Sequence, residues 1–179
     1  MECACASKRT FTALLIACSA YLGHAQNISI YFPNTLKDTS RSRCGIAFPV
    51  YRVIPKLDSL TDSLKFVINE YLKGPTAEER ALGYRTAIPT KTEILVHQDY
   101  LKEGFGWTHE DTSVSVREVS MDNDTVFIQL SPSSQAYGGG SCRIEEMLDP
   151  MRATMRGIAA KISRIYFFVE GHDNDAFQP

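Results

Sequence analysis

Few side chains in this sequence have the types and spacing that enzymes use for chemistry. The 179 residues contain no Gly-x-Ser-x-Gly elbow, no His-Glu-x-x-His helix, no Cys-x-x-Cys pair and no Walker loop. Three histidines follow the N-terminal segment, His97, His109 and His172, and they are far apart in sequence, which is typical of surface or hydrogen-bonded histidines. The sequence therefore predicts no catalytic residue, no cofactor and no metal site.

Three short segments offer groups that could bind ions. Asp122-Asn123-Asp124 and residues 172–175 carry carboxylates, but neither run has the regular ligand spacing of a calcium loop. Gly138-Gly139-Gly140-Ser141 could present backbone N–H groups to an anion, yet no Lys or Arg precedes it. The sequence favours solvated turns for the first two segments, and a turn in which Ser141 caps a helix for the third.

Residues 1–25 have the pattern of an export signal. Lys8 and Arg9 form a positive region, an apolar stretch follows them, and small residues surround Ala25. Cleavage at that point would leave residues 26–179 as a single domain.

A second form of processing competes with simple export. Leu15-Ile16-Ala17-Cys18 resembles the lipobox of bacterial lipoproteins, in which Cys18 would carry the lipid. Soluble export is favoured, because only a short segment separates Cys18 from the first predicted strand at Ile28.

Either form of processing leaves Cys44 and Cys142 as a pair in an oxidising compartment. We predict a disulfide between them, because exposed thiols there would be oxidised. The alternative is two separate buried thiols.

The numbers of positive and negative residues indicate which classes of partner the protein is suited to bind. Lys and Arg number 19 and Asp and Glu number 21, which gives a formal net charge of -2. A nucleic-acid-binding protein needs a basic surface that displaces the counter-ions of the phosphates. The composition therefore argues against a nucleic-acid partner, and contact with a membrane would depend on a lipid at Cys18.

Hydrophobic periodicity and turn residues predict strands and helices in alternation. The predicted strands cover residues 28–32, 46–53, 92–97, 113–119, 125–130 and 165–169. One helix is predicted to begin at a cap formed by Asp58 or Ser59, another begins after Gly140, and a short helical turn begins at Thr76. Residues 99–112 are predicted as an insertion. Pro150 either kinks the last helix or splits it.

This order of elements predicts an α+β fold. Right-handed crossovers would give a two-layer sandwich, with a β-α-β-β-α-β mixed sheet and two helices on one of its faces.

Four aromatic side chains are predicted to share the uncovered face of that sheet. Apolar residues that point to the helices alternate with them along the strands. They are Tyr31, Phe127, Tyr166 and Phe168. Such a patch would mark a partner surface. Alternatively, the insertion folds back over the patch and presents its own outer surface to a partner. Its aromatic residues are Tyr100, Phe105 and Trp107.

Several motifs occur in the order and spacing of the GerMN domain. They are Tyr31-Phe32-Pro33, Pro49-Val50-Tyr51-Arg52, Leu72-Lys73-Gly74-Pro75-Thr76 with Glu78-Glu79, Thr86-Ala87-Ile88-Pro89, Leu130-Ser131, Gly139-Gly140-Ser141 and Val169-Glu170-Gly171. The chain resembles that family over residues 28–171. The resemblance implies a bacterial envelope domain, often a lipoprotein, that works by interaction and has no known catalytic residues.

Together these observations predict a non-enzymatic scaffold or adaptor in the periplasm or cell envelope. Its partner would be another envelope protein or a second copy of this chain. The alternative is a module that binds a small ligand or a glycan, with the aromatic side chains as a stacking platform.

Overall fold

The computed structural model describes residues 25–39, 44–105, 112–133 and 139–170. Residues 1–24 of the predicted signal segment, with Cys18, and Trp107 of the predicted insertion lie outside these residues. The described strands are β1 (Ala25–Phe32), β2 (Phe48–Pro55), β3 (Val116–Asp122), β4 (Thr125–Leu130) and β5 (Arg164–Val169). The described helices are α1 (Leu60–Leu72), α2 (Ala77–Ala81), α3 (Lys91–Phe105) and α4 (Ser141–Ile158). This mixture of elements confirms the α+β class.

The described strands pair into two sheets, where the element order predicts one mixed sheet. β1 and β2 pair antiparallel, and β3, β4 and β5 form a second sheet in which β5 runs parallel to β4. On the edge of β1 away from β2, the N–H of Tyr31 donates to Thr154 Oγ1 of α4 at 2.9 Å. A side chain of α4 therefore satisfies one N–H on this edge of β1.

The alternation of apolar residues along β1, β4 and β5 is confirmed. Ile30, Phe32, Ile128 and Phe167 are at most 1% exposed, and the corresponding residues of each strand are buried with them. The parallel pairing of β4 and β5 requires a crossover, which α4 supplies.

The first helix begins and ends as predicted, and the second begins as predicted. Ser59 is the N-cap of α1 and accepts a hydrogen bond from the N–H of Asp62. Gly74, just after the C-terminus, has φ +76°, a conformation that a residue with a Cβ rarely adopts. Thr76 and Glu79 form the predicted capping box at the start of α2.

The predicted strand at residues 92–97 is wrong, because this segment belongs to helix α3. The N–H of Thr90 donates to Glu93 Oε2 at 2.7 Å, and the N–H of Glu93 donates to Thr90 Oγ1 at 3.3 Å. This reciprocal pair is a second capping box, and it starts a helix where the run of apolar residues suggested a strand. The helix continues through residues 99–105, which were predicted as part of an insertion.

Helix α4 is continuous across Pro150, so the proline does not split it. The Thr154 hydroxyl donates to the carbonyl of Pro150 at 2.8 Å. The prediction that Ser141 caps the helix is wrong: Gly140 is the N-cap, and no side chain hydrogen-bonds there.

One hydrophobic core lies between the two sheets and helices α1 and α4. Its largest side chains with almost no exposure are Tyr71, Phe32, Phe167, Ile30, Leu64, Ile68, Met147 and Met151. None of the helices in the described part of the chain combines the length and the apolar character that crossing a membrane requires.

Candidate functional site

Three of the predicted surface aromatics lie together on the outer face of the three-stranded sheet. Phe127 of β4 and Tyr166 of β5 are direct partners in the parallel register. Their ring centroids are 5.7 Å apart and their planes differ by 16°. Tyr166 is 42% exposed, and Phe168 follows two residues later on the same face of β5. We call Phe127, Tyr166 and Phe168 the aromatic face.

The structure does not place Tyr31 on the aromatic face. Tyr31 lies in the two-stranded sheet, opposite Pro49 of β2. Its neighbours on that outer surface include Tyr51 and Val53, which are 78% and 70% exposed. The grouping of all four aromatics on one sheet is therefore wrong, because it assumed that β1 joins the same sheet as β4 and β5.

Of the aromatic side chains in the predicted insertion, only Tyr100 can be described, since the side chain of Phe105 and all of Trp107 lie outside the described part of the structure. Tyr100 lies on α3 and is 63% exposed. Leu95 and Val96 of the same helix are also exposed. Tyr100 is therefore not a cover for the aromatic face.

A groove lined by arginines borders the aromatic face at Tyr166. It is open, has a volume of about 390 Å³, and lies between the C-terminal half of α4 and the start of β5. Its lining residues are Asp149, Arg152, Arg156, Ser163, Arg164, Ile165 and Tyr166. We call this site the arginine groove. Sequence analysis missed it, although the spacing of Arg152 and Arg156 by four residues on a predicted helix was a visible signal.

The ion pairs in the arginine groove are long and exposed. Arg152 Nη1 lies 3.4 Å from Asp149 Oδ1, and Arg164 Nη2 lies 3.9 Å from Asp124 Oδ1. The Ser163 hydroxyl donates to Asp124 Oδ2 at 2.5 Å and is the main cause that lowers the pKa of the Asp124 carboxyl. Asp124 therefore remains a carboxylate beside the groove and is already held by Ser163.

The predicted disulfide is present. Cys44 and Cys142 are bonded, with their Cα atoms 5.1 Å apart. The bond joins the segment before β2 to the first turn of α4, next to the glycine-rich turn. The glycine-rich segment, which was considered for anion binding and interpreted as a turn, thus directly precedes the helix turn that carries the disulfide, and Gly140 provides no side-chain cap.

Arg52 connects residues from several of the GerMN-like motifs. Its Nη2 lies 2.6 Å from Glu79 Oε2 and donates to the carbonyl of Gly74 at 3.1 Å. Its Nη1 donates to the carbonyl of Glu70 at 3.2 Å. The guanidinium group also lies 5.5 Å from the ring centroid of Phe32. Residues from three separate motifs therefore meet around one buried cation, which is a structural arrangement.

Glu93 and His97 of α3 have pKa values shifted by local causes. The N–H of Thr90, which donates to Glu93, is the main cause that lowers the pKa of this carboxyl. Burial lowers the pKa of His97. In the described ranges, His, Cys, Asp and Glu form no group of three that could hold a metal ion.

Comparisons with known proteins give a single similarity to report. No family model matches this chain, and no curated protein matches it. It is similar to a solved structure from Clostridium perfringens described as a candidate lipoprotein, with a TM-score of 0.39, 17% identity and 88% of each chain covered. At that TM-score the similarity supports no inference about the function of this chain.

Proposed function

We propose that this chain is an exported adaptor of the bacterial cell envelope that docks a protein partner through the aromatic face and catalyses no reaction. The observation that carries the proposal is the stacked pair of Phe127 and Tyr166, with Tyr166 42% exposed on the outside of the sheet. Large aromatic side chains held in fixed orientation dominate the energetics of protein interfaces.

Two further features support an exported domain of this kind. The disulfide between Cys44 and Cys142 is typical of oxidising compartments outside the cytoplasm. The GerMN-like motifs imply an envelope domain that works by interaction. Arg52, Gly74 and Glu79 belong to these motifs, and their contacts stabilise the fold. These contacts do not use the outer surface of the three-stranded sheet, which remains available to a partner.

Site-specific cross-linking tests the proposal. A photo-reactive amino acid replaces Phe168 in the full chain in its host bacterium, and a matched variant carries it in place of Tyr51. Tyr51 is 78% exposed on the outer surface of the other sheet. We expect a discrete cross-linked protein from the Phe168 position and none from the Tyr51 position.

The cross-linked protein must then bind the purified chain. We expect Phe168→Ala to weaken that binding by about tenfold or more, as at a central interface contact, while Tyr51→Ala leaves the affinity unchanged. Equal cross-linking from both positions, or equal affinity of the wild type and the Phe168→Ala variant, would overturn docking at the aromatic face.

A further inference from the structure

Three arginines from two elements line the arginine groove. Arg152 and Arg156 are one turn apart on the same side of α4, and Arg164 is the first residue of β5. The short connection between α4 and β5 brings them to one concavity. Their convergence depends on the fold, since eight residues separate Arg156 from Arg164 in the sequence.

These arginines are poorly satisfied by their protein partners. Arg152 and Arg164 make single contacts at 3.4 and 3.9 Å, and no ion pair to Arg156 is found among the described residues. By contrast, Arg85 makes two contacts of 2.6 Å to the carboxylate of Glu146. The forked guanidinium donors in the groove therefore remain available to an external acceptor.

The local charge also favours an anion. The groove contains three guanidinium groups and the single carboxylate of Asp149, with Asp124 beside it, in a chain whose formal net charge is -2. Like charges held in one concavity repel each other, and a bound anion relieves that repulsion. Guanidinium groups bind carboxylate and phosphate oxygens in pairs, which makes an oxyanion the matching ligand.

Tyr166 adds a flat apolar surface at the end of the groove. Its ring is partly exposed, and its orientation is fixed by stacking with Phe127. An aromatic ring beside a charged pocket fits a ligand with one apolar face and one anionic group. A sugar ring that carries a phosphate or a carboxylate has both.

We infer that the arginine groove binds the oxyanion of an acidic sugar, with the sugar ring resting against Tyr166. Arg152, Arg156 and Arg164 hold the anion, and Tyr166 supports the ring. The groove shares Tyr166 with the aromatic face, but binding of an acidic sugar does not require a docked protein partner.

Calorimetric titration of the purified, oxidised chain at low ionic strength tests the inference. The probes are inorganic phosphate, glucose 6-phosphate, glucose and phosphatidylglycerol vesicles. We expect glucose 6-phosphate to bind more tightly than phosphate, and glucose to show no measurable binding. Arg156→Gln should weaken both anions by about tenfold, the factor for one charge-assisted contact. Tyr166→Ala should reduce the affinity for glucose 6-phosphate to that of phosphate.

Matched variants separate a built site from diffuse charge. Lys56→Gln removes the same charge from an exposed position just after β2 and should leave every affinity unchanged. Arg164→Gln, at a side chain 66% exposed, repeats the test from the second element. All these positions are exposed, so the variants should fold, and the thermal unfolding of each variant verifies it.

Four outcomes would overturn the inference. They are no binding of either anion, equal loss on Lys56→Gln and Arg156→Gln, equal affinity for phosphate and glucose 6-phosphate with no effect of Tyr166→Ala, and binding only to phosphatidylglycerol vesicles. The last result would assign the groove to a membrane surface. None of them bears on Phe168 cross-linking, so this inference and the adaptor proposal can fail separately.

Discussion

Arg52 holds three segments of the chain together through one guanidinium group. Its guanidinium group pairs with the carboxylate of Glu79, which is also the acceptor in the capping box of α2. It also donates to two carbonyls at the C-terminal end of α1. The side chains of Arg52 and Glu79 are 14% and 15% exposed. Removing one partner leaves the other charge nearly buried and unpaired, which is the costly case for an ion pair.

Replacing Arg52 should therefore destabilise the fold far more than replacing an exposed arginine. We expect Arg52→Ala to lower the free energy of unfolding by about 3 kcal/mol. The control is Arg85→Ala, which removes a two-contact pair whose arginine side chain is 43% exposed and should cost less than about 1 kcal/mol. Urea denaturation of both variants measures the difference. Equal losses would show that burial of the Arg52 pair is not what stabilises it.

At the level of secondary structure, α3 shows how a local cap can outweigh a hydrophobic pattern. Thr92, Ile94 and Val96 alternate in sequence and contain β-branched residues, which indicates a strand. The capping box of Thr90 and Glu93 nucleates a helix instead, and Ile94 is its buried contact at 2% exposure. The same Thr-x-x-Glu pattern was recognised at Thr76, so this signal was present in the sequence.

Helix α4 and strand β1 are joined through one hydroxyl group. Thr154 Oγ1 accepts from the N–H of Tyr31 and donates to the carbonyl of Pro150, and Thr154 has no exposed surface. This contact satisfies a strand edge that would otherwise need another strand. At this contact, β1 is bounded by helix α4 and not by a strand of the other sheet.

Thr154→Val, which keeps the shape but removes the hydroxyl, should cost about 2 kcal/mol of unfolding free energy because the N–H of Tyr31 loses its partner. Thr154→Ser keeps both hydrogen bonds and should cost about 1 kcal/mol for the lost methyl group. Amide hydrogen exchange distinguishes the two effects. The N–H of Tyr31 should exchange faster than its neighbours in the valine variant only, and unchanged protection there would contradict this role for the hydroxyl.

Across the whole molecule, the disulfide closes a long loop of the chain. Cys44 and Cys142 are 98 residues apart, and the bond fixes the segment before β2 against α4. Gly45, the next residue in the chain, lies close to Asp149 of α4. Its φ is +78°, and a Cβ at this position would lie 2.7 Å from Asp149 Oδ2. Since Asp149 lines the arginine groove, the same segment supports one wall of the candidate site.

Removing the disulfide should destabilise the whole domain. The chain-entropy argument for a loop of this length gives about 5 kcal/mol for Cys44→Ala with Cys142→Ala. Urea denaturation of the double variant and of the oxidised wild type measures the difference. Reduced wild type serves as the control and should match the double variant. If the midpoint of unfolding stays the same after reduction, the bond does not restrict the unfolded chain as proposed.

The sequence by itself determined the features that depend on neighbouring residues. The caps at Ser59 and Thr76, the stop at Gly74 and the alternation along β1, β4 and β5 follow from local backbone chemistry and side-chain periodicity. The pairing of Cys44 with Cys142 followed from counting the cysteines that lie outside the predicted export signal.

Only the tertiary structure decided which distant groups meet. It divided the strands into two sheets, moved Tyr31 away from Phe127 and Tyr166, and brought Arg164 to Arg152 and Arg156. The physical reason is that an unpaired strand edge can be satisfied by a strand or by a side chain such as Thr154, and both choices are consistent with the same local pattern. Packing of α4 against β1 selects between them, and the candidate site is a consequence of that selection.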